Sequence, residues 1–152
     1  MIRTVIISFV LSISMVVSTY AATNLRLNPS LDYSSDSYDG PLIFGDELSD
    51  GTVHRGKPVY IIFYQRGCYN SKHQAKRTVE LYDKYKGQVD FIVIDLDSEI
   101  SNEQAELRDR FYRNYIPHVT IIDKDGQVEY NKSGEIDTVR LSNLLDSALK
   151  PD

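Results

Sequence analysis

Cysteine is nearly absent: the 152-residue chain carries one, Cys68. That excludes an internal disulfide and any zinc or iron–sulfur site built from several thiolates. Positive charge is in deficit, with 17 Lys+Arg against 22 Asp+Glu and a formal charge of -5. That balance argues against a general nucleic-acid binder, which would need a basic face. No apolar run reaches the ~20 residues of a comfortable membrane span. A G-x-S-x-G nucleophile elbow, a glycine-rich phosphate loop and internal repeats are all missing. What is present, 41% hydrophobic residues, suffices for a packed core within one domain. The lone thiol is then either inert packing or the centre of the chemistry.

Residues 1–21 read as an export signal. Arg3 supplies a short positive start, Thr4 to Val17 is uncharged and mostly apolar, and Thr19-Tyr20-Ala21 offers a small-x-small cleavage pattern. An uncleaved membrane anchor is the competing reading. Once cleaved, the chain would have no stable membrane span and would work in the periplasm or outside the cell. Oxidising compartments favour paired cysteines, so an odd one suggests an intermolecular bond or a reactive thiol. Asn131-Lys132-Ser133 is a glycosylation sequon, with meaning only in a eukaryotic secretory route.

Residues 22–40 are rich in Asn, Ser, Asp and Tyr without a sustained apolar period. They read as a flexible tether, or an arm docking loosely through Tyr33 and Tyr38. Residues 41–150 read as the folded domain. Pro41 to Pro58 holds turn signals around short apolar pieces, a lead-in strand or hairpin. Val59 to Tyr64 (VYIIFY) is a continuous β-branched and aromatic run, as expected of a central strand buried on both faces. Gln65-Arg66-Gly67 interrupts it, and Cys68 to Lys86 is helix-like. Ala75, Val79, Tyr82 and Tyr85 form its apolar face, and Gly87 stops it. Val89 to Leu96 is a second buried strand.

Ser101 and Gln104 fit a capping box that opens a second helix. Leu107, Phe111 and Tyr115 recur along it, flanked by Arg108 and Tyr112. After Pro117, Val119 to Asp123 and Gln127 to Tyr130 form strands of a hairpin through Lys124-Asp125-Gly126. Asp137 can cap a last helix with Leu141, Leu144, Leu145, Ala148 and Leu149 as its apolar stripe. The order β-α-β-α-β-β-α predicts an α/β fold, a mixed sheet with helices on both faces.

This order, with a cysteine at the first strand-to-helix junction, resembles the thioredoxin superfamily. Three segments between Lys57 and Leu149 carry the likeness: KPVYIIFYQRGCYNSK, FIVIDLD and YIPHVTIIDKDGQV. The resemblance implies that Cys68-Tyr69-Asn70-Ser71 stands where the family has C-x-x-C. It also implies a cis bond at Ile116-Pro117 beside the cysteine, with Tyr69, Ile116 and Pro117 as substrate contacts. The departures are equally specific. Ser71 replaces the resolving cysteine, Gly67 stands where Trp is common, and Ile62 stands where many members bury an acid. A dithiol reaction ending in an intramolecular disulfide is thereby excluded.

At a helix start, Cys68 would meet unpaired N–H groups and the positive end of the dipole, both favouring thiolate over the reference thiol near ~8.5. Arg66 and Lys72 would add positive charge, although surface positions are their ordinary reading. Ser71 could donate a hydrogen bond, and His118, on the same rim if the resemblance holds, could move a proton. Cys68, Ser71 and His118 are thus the candidate catalytic residues. The expected function is monothiol thiol–disulfide exchange, in which Cys68 forms a mixed disulfide that an external thiol resolves. Its partners would be exported proteins carrying thiols or disulfides, and no cofactor or metal is required.

Two other readings compete. One is a redox-inert binding module that presents the cis-proline surface to exported proteins. The other is a metal-handling site from Cys68, His118 and His73, although close ligand spacing is lacking and His73 reads as solvated. Asp95 and Asp97 read as strand-end solvating or capping groups.

Overall fold

A computed structural model of the chain describes residues 21–150. The export signal read over residues 1–21 lies, apart from Ala21, outside the described residues. Elements run β1 (Thr23–Leu27), β2 (Ile43–Asp46), β3 (Val59–Tyr64), α1 (Tyr69–Tyr85), β4 (Asp90–Asp95), α2 (Asn102–Phe111), β5 (His118–Ile122), β6 (Val128–Ser133) and α3 (Thr138–Ala148).

Every residue of β3 is buried, because it lies inside a four-stranded sheet of order β4-β3-β5-β6 with helices on both faces. β4 runs parallel to β3, while β5 and β6 are antiparallel to their neighbours. A parallel neighbour demands a crossover, and α1 supplies it. Strand alternation divides the core. Tyr60, Ile62 and Tyr64 pack with Ala75, Leu81 and Tyr82 of α1 and Leu141, Leu145 and Ala148 of α3. Val59, Ile61 and Phe63 pack with Leu107 and Phe111 of α2 on the opposite face. No described helix is long and apolar enough to cross a membrane.

The capping box of α2 forms as expected: Ser101 Oγ accepts from Gln104 N at 3.1 Å and Gln104 Oε1 accepts from Ser101 N at 3.3 Å. The helix ends sooner than its apolar repeat suggests. Tyr112 is already extended and Asn114 takes a positive φ of 61°, so Tyr115 falls beyond the helix with 75% of its surface exposed. β6 is longer than read and reaches Ser133, which pairs with His118. The sequon Asn131-Lys132-Ser133 therefore lies in a strand, not a loop.

The larger correction concerns residues 22–40. The tether reading missed β1, which pairs antiparallel with β2 in a separate two-stranded sheet. Ala22 and Leu25 enter the core shared by α1 and α3, and the Asn24 N–H donates to Tyr82 Oη at 2.8 Å. A five-residue strand with one inward leucine has too short a period to register as a pattern. The folded unit thus begins well before residue 41. Beyond β1 the chain is held by side chains: Tyr33 Oη donates to Leu42 O at 2.5 Å, and Asn28 Nδ2 donates to Pro41 O at 3.0 Å.

Leu25 is 4% exposed. Leu25→Ala should lower unfolding free energy by about 3 kcal/mol in urea titration, as for other leucines cut from cores. A change below about 0.5 kcal/mol, typical of a surface position, would restore the tether reading.

Candidate functional site

The site is built around the turn from β3 into α1. Cys68 is the N-cap residue of α1, with extended backbone (φ -97°, ψ 118°), and its carbonyl accepts from Lys72 N at 3.0 Å. Cys68 is half-buried, and its side chain makes no capping hydrogen bond. Ser71 is fully buried, and its hydroxyl accepts from Gln65 N at 3.5 Å, tying the turn to the first helical turn. Tyr69 is 40% exposed and lies against the His73 ring at 4.1 Å between centroids. His73 in turn faces Glu135, 3.5 Å away.

The Ile116-Pro117 bond is cis. Because His118 pairs with Phe63 near the end of β3, Pro117 comes to the sheet end from which the Cys68 turn departs. Cys68, Tyr69, Ser71, Ile116 and Pro117 are thus gathered at one end of the sheet.

His118 departs from its expected place. Strand alternation directs it to the face covered by α2, where its ring meets Phe63 and Tyr112 at 5.7 and 5.9 Å, whereas α1 packs on the other face. It is fully buried. Asn131 Oδ1 accepts from both Thr120 Oγ1 at 2.7 Å and His118 Nε2 at 2.8 Å, which leaves Nδ1 to accept from the Ser133 hydroxyl at 2.8 Å. Burial, joined by the nearby Arg113 charge, holds His118 below the ordinary histidine range, against the opposing Asn131 bond. A neutral imidazole fixed in a strand network serves packing, and none of these contacts involves Cys68. Of the residues in the metal reading, His118 faces the α2 side of the sheet while His73 is carried by α1 on the other side.

The two cations depart as well. Arg66 is held by acids at the end of β4: its Nε donates to Asp95 Oδ2 at 2.7 Å, its backbone N–H to Asp97 Oδ2 at 2.8 Å, and its guanidinium also meets Ser98 Oγ. Lys72 has a fully buried side chain. Its Nζ donates to Asp32 O at 2.8 Å and Ser37 Oγ at 3.0 Å, with Asp39 Oδ2 at 4.0 Å. A buried ammonium demands such partners, and residues 32–39 supply them. Stepping the apolar face back from Ala75 by three reaches Lys72, so its inward direction had a periodic signal. The partners had none.

Asp36 was also missed. Its Oδ1 accepts from Tyr69 N at 2.8 Å, capping a helix whose own N-cap residue is a cysteine. A cap donated from a distant segment leaves no local spacing to read.

The depressed His118 sets a pH dependence. The unfolded histidine binds its proton near pH ~6.5, the folded one only at lower pH. Its contribution to stability is complete above that value and is lost as pH falls toward the folded pKa. Thermal melts should therefore show the wild-type melting temperature dropping between pH 7 and 5 more steeply than that of His118→Asn. Parallel slopes would refute the assignment.

No family model matches the chain. Among curated proteins it is similar to the chloroplastic thioredoxin-like protein HCF164 of Arabidopsis thaliana, 28% identical over 123 residues. The rice protein of the same name is 28% identical over 119 residues. These alignments cover 79% and 78% of this chain but 44% of each relative, so the chain spans less than half the length of the curated relatives it matches. Among solved structures, a malarial protein superposes with a TM-score of 0.51 at 17% identity, covering 62% of this chain and 99% of that one. Thioredoxin-2, a component of the malaria parasite protein secretion machinery, does so with 0.51 at 16% identity, covering 60% and 82%. With the parallel β3–β4 pair, the crossover helix and the β5–β6 hairpin, these likenesses identify the architecture: the protein has the α/β fold of the thioredoxin superfamily.

Proposed function

We propose that the protein is an exported, monothiol thiol–disulfide exchange protein. The observation that carries the reading is the position of the single cysteine: partly exposed, at the N-cap of the crossover helix, with Ser71 where a second thiol would resolve it. The Cys68 thiolate attacks one sulfur of a partner disulfide and forms a Cys68–partner bond as the partner's other sulfur leaves as thiolate. An external thiolate then attacks the mixed disulfide and regenerates Cys68. No net oxidation of the chain occurs, so one cysteine is enough. Export rests on the leader read at residues 1–21, and the partners would be exported proteins bearing thiols or disulfides. Tyr69, Ile116 and Pro117 offer the contact surface beside the sulfur.

The redox-inert binding module is favoured by one observation, the Asp36 carboxylate seated on Tyr69 N. One of the helix-start N–H groups is engaged there by another anion, which shares the positive end of the helix dipole with any thiolate at Cys68.

Incubation of the processed protein with a disulfide-bonded client should trap a mixed disulfide, seen as a non-reducing gel shift that vanishes in Cys68→Ala and is cleared by added glutathione. Client binding that survives Cys68→Ser with no covalent adduct in wild type would select the binding module instead.

A further inference from the structure

Lys72 is the one fully buried charged side chain among the described residues, and the exchange reading gives it no task. Its ammonium is satisfied by residues 32–39, which also place atoms against Gly67 and Tyr69, the neighbours of Cys68. Asp36 accepts from Tyr69 N. The Tyr38 ring covers Gly67 so closely that a Cβ there would come 3.0 Å from Tyr38 Cδ2 and 3.7 Å from Asp36 O. Lys72 holds the segment between Asp32 and Ser37. The segment's own bonds are short-range: Asp32 Oδ1 accepts from Ser34 N at 2.8 Å, and the Ser35 and Ser37 hydroxyls meet at 3.0 Å. It contains no helix or strand. Asn28, Tyr33 and Pro41 anchor its two ends to the fold.

We propose that residues 32–39 form a strap, latched on the Lys72 ammonium and the α1 N-terminus, that restricts access to Cys68. A segment without ladder hydrogen bonds, held by a few polar contacts, opens locally at far lower cost than the core. The contacts that close it fall on Gly67 and Tyr69, the residues on either side of Cys68, so opening it widens the approach to the thiol. The latch is polar and partly wet on its outer side, where Asp39 is 42% exposed, whereas the ammonium is enclosed. Loss of the latch should therefore free the strap without opening the sheet. The biological sense of such a gate rests on the exchange reading of Cys68, but its physical existence does not.

The test compares two reagents with the same reactive group, N-ethylmaleimide and a maleimide carrying a large neutral polyethylene glycol chain. The Cys68 thiolate adds to the maleimide double bond of either reagent, so the ratio of their rates cancels the ionisation of Cys68 and reports access alone. The variants, in the processed full chain, are Lys72→Met, which removes the latch but keeps the stem, and Asp36→Ala, which acts from the strap. The large-to-small rate ratio should rise roughly threefold or more in both, as the open fraction grows. Amides of residues 32–39 should exchange faster with deuterium while those of β3 stay protected. An unchanged ratio in folded Asp36→Ala would overturn the strap, even if Lys72→Met fails to fold. A raised ratio in a protein that never forms mixed disulfides would keep the strap and remove the exchange reading. Mixed disulfides with an unchanged ratio would do the reverse.

Discussion

The burial of β3 on both edges and both faces is the constraint from which the remaining structure follows. With β4 parallel on one side and β5 antiparallel on the other, β3 is paired along both edges, which gives an interior strand partners for its backbone polar groups. The parallel partner forces a crossover, and the crossover fixes where α1 must begin. Cys68 thereby comes to the end of the sheet whatever its neighbours are. The same strand divides the core by alternation, giving α1 and α3 one face and α2 the other.

That division also decides which polar groups can cooperate. His118 is next to Pro117 in sequence, and Pro117 is at the cysteine's end of the sheet. A strand nevertheless sends successive side chains to opposite faces. The imidazole therefore joins Asn131, Ser133 and Thr120, and becomes part of how β5 and β6 are held together. The charges around the β3–α1 turn are arranged by the same logic. Arg66 is drawn to the acids at the end of β4, Lys72 is directed inward by helical periodicity, and the helix start is satisfied by Asp36 from the N-terminal segment.

The site is consequently a composite of two regions of sequence. The β3–α1 turn supplies the thiol, and residues 32–39 supply its surroundings. The thioredoxin-like part alone would describe an open helix N-terminus with a cysteine on it. With the N-terminal segment in place, the residues flanking Cys68 meet a carboxylate at Tyr69 N and a tyrosine ring at Gly67, and the Lys72 ammonium is enclosed.

Local pattern alone determined the elements whose signals are periodic or capped. VYIIFY had to be an interior strand because it offers no polar face. Ser101 and Gln104 announced the start of α2, Asp137 that of α3, and Gly87 the end of α1's run. The lone cysteine by itself excludes an internal disulfide. Only the tertiary structure decided that Lys72 is enclosed, that Asp36 caps α1, that His118 turns away from Cys68, and that residues 23–27 join a sheet. Each of these depends on a partner 13 or more residues away, such as Asn131 for His118, Asp36 for Tyr69, or Asp32 for Lys72. A hydrogen bond between distant segments leaves no period in the chain, because the two groups meet only after the strands between them have paired.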